Sequence, residues 1–211
     1  MVWNCRGAAS KSFYRYCKHY MDMYHSSMLV ILETRCDPKL LDKTFEKLDF
    51  DKNMFVENRG YSGSIVVEWK SSYFEINLCK KDDQFLHLHI KDNDKQDFFF
   101  TAVYASPHEN KKKLLWEMLN DISIRKQHLW LVAGDFNDIA KSFEKRGGLQ
   151  ASNNRCTTFR NRIQSCLLED IESRGPNFTW RGPIFHEGQR IYENMDRALS
   201  NDSWRWRFSN A

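Results

Sequence analysis

The sequence predicts a four-layer α/β sandwich, two β-sheets packed face to face with helices on the outside, formed as one domain over residues 1–211. Three observations predict it. Residues 52–104 are a succession of β-branched and aromatic runs parted by short polar turns. On either side of that block, apolar runs of strand length alternate with segments of helical period. The 211 residues, 41% hydrophobic and 14% aromatic, suffice for one sizeable core, and no low-complexity linker divides them.

The elements follow in order. Residues 11–25 place Phe13, Cys17, Tyr20, Met21 and Tyr24 near helical spacing, and the apolar run 28–32 is typical of a buried strand. Asp37-Pro38 supplies a helix cap followed by proline at the first helical position. Leu40, Leu41, Phe45 and Leu48 then make the buried stripe of a short second helix. Strands are expected at 65–69, 73–78, 85–90 and 98–104, with turns at 80–83 and 91–95. His87 and His89 alternate with Leu86, Leu88 and Ile90, the pattern of a strand with one face in solvent; a metal-binding pair is the alternative.

Residues 109–126 return to helix, with Leu115, Met118, Leu119 and Ile122 inward and the lysines at 111–113 outward. A strand at 129–133 runs into Gly134-Asp135-Phe136-Asn137. Residues 157–169 are helical through Phe159, Ile163, Cys166 and Leu167. The tail holds two short strands, 178–180 and 190–192, and a helical turn at 195–200.

Composition narrows the class. A net charge of +4 is compatible with a polyanionic partner without requiring one. The six cysteines, at 5, 17, 36, 79, 156 and 166, show no CxxC pair and read as scattered reduced thiols. No apolar signal-peptide core follows Met1, and the longest apolar runs are too short to cross a bilayer. A soluble nuclear or cytoplasmic protein, with no membrane and no obligate protein partner, is expected.

The chemistry sits where apolar strands end. Asn4 follows the first apolar residues, Glu33 follows 29–32, Tyr104 closes 98–103, and Asp135 and Asn137 follow 129–133. Strand ends let a rigid sheet aim side chains into a shared cleft. Carboxylates there can hold Mg²⁺, and a neighbouring carboxylate can orient water for in-line attack on phosphorus. Singly, each residue also has a plain structural reading: an Asx turn for Gly-Asp-x-Asn, a solvated strand end for Glu33, a half-buried aromatic for Tyr104.

Order and spacing decide between these readings. Trp3-Asn4-Cys5-Arg6-Gly7, Leu32-Glu33-Thr34, Val103-Tyr104-Ala105-Ser106-Pro107 and Ala133-Gly134-Asp135-Phe136-Asn137 resemble, in that order, the motifs of the endonuclease/exonuclease/phosphatase superfamily. Glu144-Lys145-Arg146-Gly147-Gly148, Gly175-Pro176-Asn177-Phe178-Thr179-Trp180, Met195-Asp196-Arg197-Ala198-Leu199 and the 204–208 stretch resemble the endonuclease domain of plant LINE (non-LTR) retrotransposons. The resemblance implies two mixed sheets and a hydrolase that cuts DNA with Mg²⁺, or Mn²⁺ in its place. It implies that Glu33 holds the metal with Asn4 beside it, and that Tyr104 contacts phosphate. Asp135 would orient or deprotonate the attacking water, Asn137 would steady the phosphoryl oxygens, and Thr179 and Asp196 would line the cleft near the substrate.

The superfamily pattern ends in Ser-Asp-His on a last strand. None of the seven histidines here (19, 25, 87, 89, 108, 128, 186) stands in that context, so the chain is expected to be C-terminally truncated and impaired in catalysis. The alternative is a non-catalytic mobile-element remnant or nucleic-acid-binding fragment. A nicking assay on this chain and on Asp135→Ala separates the two. A phosphatase of small phosphoesters would share the metal site, and relative turnover of supercoiled DNA and inositol phosphates discriminates it. Arg155, Arg160, Arg162, Arg181, Arg190, Arg197, Arg205 and Arg207, interleaved with Phe159, Trp180, Trp204 and Trp206, are either a DNA face or ordinary surface arginines beside core aromatics.

Overall fold

The structure, a computed structural model, describes residues 1–56, 64–94, 96–125, 128–171, 175–184 and 188–208. Lys95 of the expected 91–95 turn, and His186, lie outside the described residues. The chain divides into two compact units, Met1–Tyr104 and Ala105–Ala211.

Unit 1 begins with β1 (Val2–Asn4), α1 (Phe13–Tyr24) and β2 (Met28–Leu32). β1 and β2 are parallel, a pairing that needs a crossover, and α1 supplies it. The helix stops where His25 turns left-handed, φ 47°, and donates its N–H to the Met21 carbonyl. A 3-10 turn (Pro38–Leu41), capped by the Asp37 side chain, runs into α2 (Asp42–Glu46). The tighter winding of that turn rotates Leu40 into solvent, 73% exposed, so the expected stripe is reduced to Leu41, Phe45 and Leu48. β3 (Lys52–Val56) and β4 (Ile65–Trp69) complete a mixed four-stranded sheet in the order β1-β2-β4-β3.

One face of this sheet, Leu29, Ile31 and Val66, packs on Phe13, Cys17, Leu41 and Phe45. The alternate residues Val30, Leu32, Ile65 and Val67 are equally buried, so these strands are covered on both sides. Their cover includes the antiparallel run β5 (Phe74–Asp82), β6 (Phe85–Asp92) and β7 (Asp97–Tyr104), with β4 packed on β7 and β3 on β6. β5 continues through residues 80–82, where a turn was expected. A register shift between Leu78 and Lys80 keeps that end paired, and its lysines stay in solvent. His87 corrects the one-wet-face reading of β6: it is 3% exposed, bonded through Nδ1 to Thr101 Oγ1 at 2.8 Å and stacked on Phe99.

Unit 2 contains α3 (Glu109–Arg125), β8 (Trp130–Asp135), a 3-10 turn (Ser142–Glu144), β9 (Lys145–Arg146), α4 (Asn153–Ser165) and β10 (Glu169–Asp170). It closes with β11 (Trp180–Ile184), β12 (Arg190–Glu193), β13 (Asp196–Ser200) and α5 (Asp202–Arg207). The strands run β10-β13-β8 and β11-β12-β9, all antiparallel. Residues 196–200 are thus a strand where a helical turn was expected. Five residues pairing with β8 outweigh a weak local preference. α4 ends before Leu167, which sits at φ 54° and is exposed rather than inward. Trp116, Phe136 and Phe159 form the aromatic centre of this unit, their ring centroids 5.6–5.8 Å apart. The α/β class expected from the sequence is the class observed. Among the described residues, no helix is long and apolar enough to cross a membrane.

Candidate active site

The candidate residues of unit 1 are gathered by strand pairing. The parallel register sets Asn4 beside Leu32, so the next residue, Glu33, comes within reach of the Asn4 amide. Asn4 Nδ2 donates to Glu33 Oε1 at 3.1 Å, and Asn4 Oδ1 accepts the Arg6 backbone N–H at 3.2 Å. Glu33 is 8% exposed and sits at φ 54°, a conformation a non-glycine residue holds only when its surroundings insist. Those surroundings centre on Ser64. Its carbonyl accepts the Glu33 N–H at 3.0 Å, its hydroxyl accepts the Thr34 N–H at 2.8 Å, and the two hydroxyls meet at 2.7 Å. The second Glu33 oxygen pairs with Arg35 Nη2 at 2.7 Å. Tyr104, at the end of β7, is buried, its backbone N–H bonded to the Gln84 carbonyl.

This donor set fits a hard divalent cation. Glu33 offers a carboxylate, and Mg²⁺ is held by one or two carboxylates with water filling the rest; Asn4, beside it, turns its amide nitrogen to Glu33 and its oxygen to the Arg6 N–H. The Arg35 side chain on Glu33 is half exposed and so displaceable at small cost. Burial pushes the neighbouring Cys5 thiol up to about 11. Among the described residues, no three His, Cys, Asp or Glu side chains cluster into an all-protein metal cage.

The candidate residues of unit 2 gather at the end of β8. Phe136, fully buried among Trp116 and Phe159, is the anchor of Gly-Asp-Phe-Asn, and it fixes the residues on either side. Asp135 is 2% exposed, and its Oδ1 accepts the Asn137 N–H at 2.8 Å, an Asx turn. Asn137 is left-handed, φ 49°, and its Nδ2 donates to the Ala105 carbonyl at 2.7 Å. The antiparallel register places Asp196 directly opposite Asp135. The Thr179 hydroxyl accepts the N–H groups of both Met195 and Asp196 at 3.0 Å, tying Thr179 to the same strand end. The expected residues therefore come together as two sets: Asn4 with Glu33, and Asp135 with Asn137, Thr179 and Asp196.

Beneath the second set lies a charge network that sequence reasoning missed. Asp138, 2% exposed, accepts from Lys112 Nζ at 2.9 Å and Arg155 Nε at 2.7 Å. Both cations also reach the Asn137 carbonyl at 3.4 Å. Arg155 continues to Glu193, which also meets Lys145 at 3.5 Å. Lys112 corrects the outward lysine run, since it is 5% exposed; its spacing from Leu115, Trp116 and Leu119 on one helical stripe was the available signal. Arg197, counted toward a DNA face, is buried and ion-paired with Glu144 and Asp170. Phe159, counted with it, is core. Arg160, Arg181, Arg205 and Arg207 remain exposed.

Comparison with known proteins agrees with this architecture. The model of the Endonuclease/Exonuclease/phosphatase family matches residues 1–207. The chain belongs to that family, which places it among nuclease- and phosphatase-type hydrolases. The endonuclease domain of TRAS1, a telomere-specific non-LTR retrotransposon, superposes with a TM-score of 0.70 at 10% identity, covering 95% of this chain and 84% of that one. The 3' phosphatase NExo from Neisseria, bound to a product DNA hairpin, gives 0.69 at 13% identity, with 96% and 86% covered. The AP endonuclease LMAP from Leishmania major gives 0.71 at 15%, with 96% and 78% covered. These structures share the α/β sandwich fold. No curated protein matches the sequence.

Proposed function

We propose that this chain is a Mg²⁺-dependent phosphodiesterase that nicks DNA, of the retrotransposon endonuclease type. The observation that carries the reading is the Asp135–Asn137 turn. A buried carboxylate is held by the N–H of an asparagine that is itself locked left-handed and clamped at its carbonyl by Lys112 and Arg155. Such a carboxylate is pre-aimed and loses no freedom when it takes a proton from water. The Asn137 amide, oriented through Ala105, donates toward developing negative charge on phosphoryl oxygen. Tyr104 contacts the phosphate, and Thr179 and Asp196 position the substrate. Glu33 and Asn4 hold the cation, which when bound supplies charge neutralisation at the phosphate. DNA as substrate and the retrotransposon type are supported by the motifs after residue 143. The DNA-bound structure of NExo, which has the same fold, supports a nucleic-acid substrate.

The 211-residue chain carries no Ser-Asp-His and is proposed to be slow by itself. The test is nicking of supercoiled plasmid with Mg²⁺. Slow, Mg²⁺-dependent nicking that Asp135→Ala abolishes is expected, with turnover of inositol phosphates slower still. Nicking that survives Asp135→Ala refutes the site, and fast nicking refutes the impairment. Whether both residue sets serve one step is read from the Glu33→Gln/Asp135→Asn double variant, whose loss should be far less than the product of the single losses.

A further inference from the structure

Unit 1 has a second concave site at the far end of its sheet from Glu33. Ile65 of β4 pairs with Leu32, next to Glu33, whereas Trp69 pairs with Met28 at the opposite end. Near that opposite end a cavity of about 640 Å³ opens between α2 and the β3–β4 pair. Asp42 and Glu46, one turn apart on α2, line one side, and Asp49 and Asp51 line another. Glu68 lies in the wall on β4, only 3% exposed, and among the described residues its carboxyl makes no hydrogen bond or ion pair. Other buried acids are partnered: Glu33, Asp138, Glu144 and Glu193 each meet a Lys or Arg side chain, and Asp135 accepts the Asn137 N–H. A largely buried carboxyl without a protein partner is costly, and here it borders open volume lined by more carboxylates.

We propose that this cavity binds an organic cation, an alkylammonium or guanidinium group whose charge reaches Glu68 while its stem lies along Phe50. The Phe50 ring lines the cavity, and Lys70 Nζ already stands 5.8 Å from its centroid and 3.9 Å from Asp49. Lys70 thus places a cation against Phe50 and Asp49 at one corner, while Glu68 is left to the ligand. A bare metal ion suits the site less: no three carboxylates among the described residues approach closely enough to share one, and the volume far exceeds an ion. Acids spaced along α2 match a ligand with spaced positive charges. Burial, with Asp42 nearby, raises Glu68 to about 8, so the empty site holds a proton at neutral pH and releases it to a cation. The charged groups that line the cavity with Glu68 are Asp42 and Glu46 on α2 and Asp49 and Asp51 before β3, with Lys70 on Asp49 and Lys52 beside Asp51. The inference does not depend on the phosphodiesterase reading.

The test is titration of the 211-residue chain with spermidine and, separately, with a short arginine peptide, followed by calorimetry and amide and aromatic NMR shifts. Saturable binding of at least one is expected, tighter as pH rises through about 8, with shifts at Phe50 and Asn53. Glu68→Gln should weaken it about tenfold or more while retaining the melting transition. If that variant does not fold, the exposed pair Asp42→Asn/Glu46→Gln replaces it, with the same expected loss. Binding of spermidine alone identifies a free amine as the source, and binding of the peptide alone a partner protein's side chain. No saturable binding of either probe, a response to Mg²⁺ only, or unchanged affinity in the variant overturns the proposal.

Discussion

Lys112→Met tests the network under the Asp135–Asn137 turn. The methionine keeps the length and apolar stem of the lysine and removes only its charge. In the native chain the Lys112 and Asp138 side chains are 7% and 3% exposed and 2.9 Å apart, so water screens them little. Removing one member of a buried pair typically costs about 3–5 kcal/mol, because the survivor is left buried with its charge. Here Arg155 stays on Asp138 Oδ1 at 2.7 Å, which places the expected loss near the lower end, about 3 kcal/mol. For a chain of this size that corresponds to a fall in Tm of roughly 6–12 °C. The assay is urea unfolding of wild type, Lys112→Met, Asp138→Leu and the double variant. The double variant should recover part of the loss, since replacing both charges leaves no orphan. A single-variant loss under about 1 kcal/mol, the range of a surface pair, would refute the claim that this network is buried and coupled.

Three further outcomes are expected. Glu68 has its proton affinity raised by folding, to about 8 from an ordinary 4.5, so between those values the unfolded chain is ionised while the folded chain is not. Stability should therefore fall as pH rises through that window and level off above it, by a few kcal/mol in total, and Glu68→Gln should flatten the fall when unfolding is compared across the window. Asn4→Ala removes the 3.1 Å bond that orients Glu33 and should raise the Mg²⁺ concentration for half-maximal nicking about tenfold or more, read from a metal titration of the nicking rate. Gly147→Ala should cost about 2 kcal/mol or more in thermal denaturation, because at φ 83° its Cβ would meet the Arg190 carbonyl oxygen at 2.3 Å.

Strands were legible wherever an apolar run was long and bounded, as at 28–32, 65–69 and 98–104, because burial on both faces leaves that signature. β13 was not, since Asp-Arg-Ala-Leu-Ser carries no strong period and becomes a strand only through β8. Leu40 and Leu167 were misplaced for a local reason: a 3-10 turn and a left-handed residue each rotate one side chain out of an otherwise regular stripe. The contact between Asn4 and Glu33 follows from two parallel strands ending together, and strand ends are visible in sequence. The Asp138–Lys112–Arg155–Glu193 network is different, because ion pairing between residues 17 to 38 positions apart leaves no pattern in a single sequence. Its one trace was Lys112 sharing a helical stripe with leucines, which composition made look like a charge run.

If Glu33 holds the cation as proposed, the site depends on Ser64 through backbone geometry. The carboxylate at 33 is aimed by a backbone conformation its own strand does not favour, and the bonds holding that conformation come from a serine 31 positions later. On the proposed reading, a substitution scan scored by nicking rate should rank this serine with the proposed site residues, through the conformation it imposes on a neighbour.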